Sequence, residues 1–151
     1  MTDETEQPHR VQQEPSAALP DWFLQSLVSL VNNSESEIGV TLQVSGFLVS
    51  GLLVGGAKYF EGFAAELATA FPEDQRTTES IQKAFSSYGA GLYKPTDTAD
   101  VSSPPPTYIH LKQARFFHII GTPVPVNRGV WWRGRLSEVS AFVMGTLSKE
   151  L

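Results

Sequence analysis

The sequence predicts a single α+β domain: an N-terminal helix, a β-hairpin, a helical insertion and then antiparallel strands. Three observations carry this. Ile38, Val40, Leu42 and Val44 alternate with Gly39, Thr41, Gln43 and Ser45, the period-two pattern of a strand with one buried face. Phe60, Phe63, Ala64, Leu67 and Phe71 recur at three and four, the period of a helix. After Thr107, aromatic and β-branched residues dominate again, in runs broken by Gly and Pro. With 151 residues and 41% of them hydrophobic, the chain is long and apolar enough for one core.

Residues 1–20 read as a flexible acidic tail. They carry Asp3, Glu4, Glu6, Glu14 and three prolines. They lack the basic start and apolar stretch of a signal peptide. The chain has no cysteine, which excludes a disulfide scaffold, a zinc ribbon and a thiol enzyme. Both points favour the cytoplasm.

The domain is expected over residues 21–151. Asp21 caps a short amphipathic helix of about 12 residues, with Phe23, Leu27, Leu30 and Val31 on its apolar face. Residues 38–57 hold no charge and match a membrane span in length. Their alternation argues instead for two strands around a tight Ser45-Gly46 turn. The Phe stripe gives a helix over 57–71, stopped by Pro72. Ile81, Ala84, Phe85 and Tyr88 give a second, capped by Thr77 or Thr78 and ended by Gly89. Residues 93–107, with Pro95 and the Pro104-Pro105-Pro106 run, read as a Pro-rich loop. Strands are expected at 108–112, 115–119, 130–136 and 139–147, with a turn or bulge at Ser137-Glu138.

Charge is uneven. Residues 1–106 hold 5 Lys/Arg against 14 Asp/Glu, and residues 107–151 hold 6 against 2. Such a chain attracts copies of itself at low salt; the alternative is that the cations simply sit on exposed strand positions. No phosphate loop, His-Glu-x-x-His or nucleophile elbow is present. His110 and His118 read as exposed or half-buried residues of neighbouring strands. No enzyme activity, cofactor, metal or catalytic residue is therefore expected.

Arg128 and the Trp131-Trp132-Arg133-Gly134-Arg135 run form the most unusual cluster. Adjacent strand residues face opposite sides, so one Trp enters the core and the other lies outside. An outside Trp beside Arg suits packing, base stacking or a protein contact. Arg128, Trp131, Trp132, Arg133 and Arg135 are the candidate interaction surface.

Two resemblances follow from these residues. The stretch from Val40 to Leu53 resembles the first Sm motif in its apolar and Gly spacing, and Arg133-Gly134 loosely resembles the Arg-Gly of the second. This implies a small Sm-like partly open barrel or a strongly bent sheet, and as an alternative function an Sm-like RNA- or protein-binding module. The polar RNA-contact positions are absent, with Val54-Gly55-Gly56-Ala57 in their place. With the net charge of −5, nucleic acid is not an expected partner.

The more specific resemblance is to the gas vesicle protein U family. It rests on the Val40–Gly51 hairpin, the Ala57-Lys58-Tyr59-Phe60 helix start, the Tyr108–Arg115 block and the run from Trp132 to Phe142. Together these span roughly residues 22–147. The resemblance implies a non-catalytic accessory protein of gas vesicles, acting in vesicle organisation or clustering. Its implied partners are gas vesicle proteins and itself, with no membrane.

Overall fold

A computed structural model describes residues 18–93, 103–118 and 122–148. The acidic-tail expectation for 1–17, and the part of the Pro-rich loop at 94–102, lie outside the described residues. The elements run α1 (Trp22–Asn32), β1 (Ile38–Val44), β2 (Phe47–Val54), α2 (Gly56–Ala68), α3 (Gln75–Leu92), β3 (Tyr108–Phe117), β4 (Val130–Arg135), a 3-10 turn (Leu136–Glu138) and β5 (Val139–Met144). The five strands form one antiparallel sheet in the order β4-β3-β2-β1-β5. No helix among the described residues is long and apolar enough to cross a membrane.

Helix α1 starts where Asp21 accepts a hydrogen bond from the Phe23 N–H at 2.9 Å. Its Leu24, Val28 and Val31 are fully buried. They pack on Val40 and Leu42 of β1, Val49 and Leu53 of β2, and Ile109, Leu111 and Ala114 of β3. Leu136 of the 3-10 turn completes this core. Each buried Leu or Val contributes roughly 1.5–3 kcal/mol. The core therefore lies between α1 and one face of the sheet.

Strands β1 and β2 pair from Ile38↔Leu53 to Val44↔Phe47. Ser45 (φ 49°) and Gly46 (φ 81°) form the two-residue turn, both in the left-handed region a tight hairpin needs. On the sheet's second face, buried Thr41 donates to Ser50 Oγ and stands within hydrogen-bond distance of the Gly145 carbonyl. The Leu147 N–H donates to that same Ser50 oxygen. The chain after β5 thus ties back across β1 and β2.

Helices α2 and α3 cover part of this second face, with α3 packing along α2 rather than on the sheet. Helix α2 ends at Ala68, earlier than Pro72 suggested. Single turns closed by Ala70 N–H to Leu67 C=O and Phe71 N–H to Ala68 C=O carry the chain onward. Helix α3 begins at Gln75 because Asp74, not Thr77 or Thr78, is its cap and accepts from the Thr77 N–H. A carboxylate there also complements the helix dipole. Gly89 does not end the helix. It is buried inside α3, where an added Cβ would lie 2.9 Å from the Ala57 Cα. Gly89 allows close helix crossing, and α3 runs on to Leu92.

The expected pair of strands at 108–112 and 115–119 is one continuous strand, β3, through Phe117. Residues 119–121 lie outside the described set. The junction is a bulge: Gln113 has φ 54°, and the register shifts there against both β2 and β4. Gly51 and Gly129 make room for it. A Cβ on Gly129 would come within 2.1 Å of the Gln113 backbone. At the other end of the sheet, β5 stops at Met144, since Gly145 leaves strand geometry with φ 98° while its N–H still reaches the Gly39 C=O.

Strands β4 and β5 occupy opposite edges, yet only Leu136–Glu138 connects them. The sheet must curl to let so short a link span its two edges. It does not close, because no β4–β5 pairing completes it.

Candidate functional site

The candidate residues gather on and before β4, an edge strand that among the described residues pairs with β3 alone. Trp131, Arg133 and Arg135 alternate onto the α2 face, and Trp132 and Gly134 onto the core face. Trp132 is half-buried and packs against the core, its ring lying over Gly134. Trp131 is also half-buried rather than free. It meets Tyr59 of α2 edge-on at 6.0 Å between ring centroids. Gly62 of α2 receives its indole, since a Cβ there would lie 1.9 Å from the ring.

Arg133 and Arg135 remain exposed. The Arg133 guanidinium stands 3.5 Å from the centroid of the Tyr108 ring on β3, a cation–π contact. Arg135 sits opposite Tyr108 in the register. Its hydrogen bond to the Tyr108 hydroxyl, with the charges of both arginines, holds that phenol below its ordinary pKa. Arg128 lies in the loop before β4 and is exposed, 3.7 Å from Glu66 of α2. An exposed pair at that distance adds little stability. So Trp131, Arg133 and Arg135 share one face with Tyr108. Trp132 is on the other, and Arg128 flanks them.

Behind this strip lies a residue that sequence reasoning misplaced. His110 is not exposed or half-buried; it is fully buried on β3, opposite Arg133. Tyr59 lies 4.7 Å from its ring, Tyr93 5.4 Å and Phe60 6.1 Å, between centroids. Among the described residues, neither ring nitrogen has a hydrogen-bond partner. Burial, then the Arg133 charge, lowers its pKa to about 3. His110 is therefore neutral at pH 7 and behaves as part of an aromatic cluster. His118 is exposed just past the end of the same strand, 5.7 Å from the Phe47 ring, so the two histidines are not on neighbouring strands. The one sequence signal for His110 was its place between buried-type Ile109 and Leu111, which did not reveal α2 overhead.

A second charged group links distant segments. Glu37 pairs with Lys58 of α2 at 2.5 Å and Lys112 of β3 at 2.7 Å. Hydrogen bonds from Lys112, then Lys58, lower the Glu37 pKa. Near the bulge an open cleft of about 500 Å³ is lined by Arg115, Asn127, Arg128 and Thr146 among others. Among the described residues, no group of three or more His, Asp or Glu is placed to hold a metal ion. What the β4 strip offers chemically is two exposed guanidinium groups beside aromatic rings.

Neither a curated protein nor a solved structure matches the chain. The family model for gas vesicle protein GvpU-like matches residues 21–147. That range runs from the cap of α1 to beyond β5, taking in the sheet, both helical layers and the β4 strip. The chain belongs to the gas vesicle protein GvpU-like family.

Proposed function

We propose that the protein is a non-catalytic accessory protein that organises or clusters gas vesicles in the cytoplasm. It does so by self-association and by weak contacts with vesicle proteins. The observation that carries this is the family match across the whole folded unit. Arg133 and Arg135, exposed on an edge strand beside Tyr108, support β4 as a contact surface, with Arg128, Trp131 and Trp132 around it. Many weak contacts of this kind bundle particles when each particle carries several copies. The curled sheet, with β4 and β5 joined by one 3-10 turn, supports the finer description of an Sm-like partly open barrel.

Co-flotation tests the proposal. Purified protein is mixed with isolated gas vesicles, centrifuged gently and assayed in the floating layer. The expected result is saturable co-flotation, with vesicles clumping as protein rises. Arg133→Glu with Arg135→Glu is expected to weaken it roughly tenfold, about 1.4 kcal/mol. Protein left wholly in the subnatant at low and moderate salt overturns direct vesicle binding.

A further inference from the structure

The two edges of the sheet differ. Edge β4 carries Arg133 and Arg135. Edge β5, Val-Ser-Ala-Phe-Val-Met, carries no charge, and Val143 and Met144 are each 61% exposed. An uncharged, apolar edge strand is a template for another strand.

The direction of its free hydrogen-bonding groups follows from one contact. The Gly145 N–H donates to Gly39 C=O at 2.7 Å, across an antiparallel pair in which Thr41 faces Val143 and Gln43 faces Ala141. Backbone groups alternate along a strand, so those of Ala141, Val143 and Gly145 turn toward β1. Those of Phe142 and Met144 turn outward, with the Ser140 C=O; the register shift opposite Gln43 and Val44 turns the Ser140 N–H toward β1. On β4 the Leu136 N–H donates to Thr107 C=O. By the same alternation, Arg133 and Arg135 hold the outward groups there.

We propose that β5 is the pairing edge for β5 of a second copy, in an antiparallel dimer centred on Phe142. This deepens the self-association part of the function proposed above and rests on it. In this register Phe142 faces Phe142 of the second copy, Ser140 faces Met144 and Ala141 faces Val143. The Phe142 pair exchanges two backbone bonds, and each Met144 N–H meets a Ser140 C=O of the other copy. No charge is buried, and the contact is isologous, so it closes as a dimer. Phe142 already touches Phe23 of α1, 5.7 Å between centroids, and Phe23 touches Trp22 at 5.8 Å. Trp22 is 75% exposed and Phe23 51%. These rings widen the apolar contact on both sides of the Phe142 pair. The same arrangement on β4 would set Arg133 against its own copy.

The test is amide hydrogen exchange on the full chain, at low and high protein concentration, with the mass measured by light scattering. The expected result is a dimer at high concentration and slowed exchange at Phe142 and Met144 only there. Ala141, Val143 and Gly145 stay slow throughout. Val143→Lys, at an exposed position, is expected to weaken the dimer on the order of tenfold. A monomer at every concentration overturns the proposal. So does concentration-dependent protection at Arg133 and Arg135, the sign of β4–β5 stacking. Protection of the Phe142 and Met144 amides in a dilute monomer, with the chain's own terminal segment as occupant, overturns it too. If dimerisation fails while co-flotation persists, the edge is wrong and the vesicle role stands.

Discussion

His110 should make the fold acid-sensitive by an amount that one substitution removes. Its pKa is about 3 in the folded chain, against an ordinary value of 6.5 for a free imidazole. The unfolded chain therefore binds more protons between those values. Stability is fully present above pH 6.5 and falls as the pH drops toward 3. At 1.36 kcal/mol per unit, the loss from this group is about 2 kcal/mol at pH 5. The groups facing His110 are Tyr59, Phe60 and Tyr93 from the helical side and Arg133 from β4. None is a carboxylate that would stabilise an imidazolium. His110→Phe keeps an aromatic ring and removes the titration along with two unpartnered nitrogens. The assay is urea unfolding at pH 7.5, 6 and 5 for both chains. Glu37 and Asp74, whose pKa values are lowered, titrate in both and cancel in the comparison. The original chain should lose about 2 kcal/mol more than His110→Phe by pH 5. Parallel pH curves would refute the burial of an unpaired imidazole.

Other changes have equally definite outcomes. Gly62→Ala should expel the Trp131 indole from α2, costing about 1–3 kcal/mol and red-shifting tryptophan fluorescence as the ring becomes wet. Ser45→Asn should raise the melting temperature by a few degrees, because Asn adopts the positive φ of this turn more readily. Asp74→Ala should cost about 1 kcal/mol by leaving the α3 amides uncapped, read by chemical unfolding. Leu24→Ala should cost about 2–5 kcal/mol, since its side chain is fully enclosed by the core.

Local signals recovered the elements they govern. Asp21 marked the start of α1, and Ser45-Gly46 marked the hairpin, because a cap and a two-residue turn are settled by neighbours in sequence. The helical period found α2 and the centre of α3. Their ends depended on more. Gly89 looked like a stop, but a glycine also lets two helices cross closely, and only Ala57 shows which applies. The Lys112-Gln113-Ala114 interruption looked like a strand end. Gly51 and Gly129, far away in sequence, allow a bulge there instead. The β4 cluster was legible as a set. The face taken by each Trp was not, because Gly62 and Gly134 decide where the indoles lie. His110 is the clearest case: its environment comes from residues at 59, 60 and 93, brought over it by the helical pair.

Strands β2 and β3 are immediate neighbours, with Val54 opposite His110. Residues 55–107 are thus the loop of one very long hairpin, and α2 and α3 are a cassette carried inside it. Loop length costs little closure entropy, since each doubling adds only about 0.6 kcal/mol. The cassette can therefore lengthen, shorten or be exchanged while the five-stranded register persists. The aromatic roof over His110 anchors it to the sheet, with the Trp131 indole seated at Gly62 and Lys58 paired to Glu37. A chain trimmed to a short turn between β2 and β3 would keep its strand order and hydrate His110, returning that imidazole to ordinary titration.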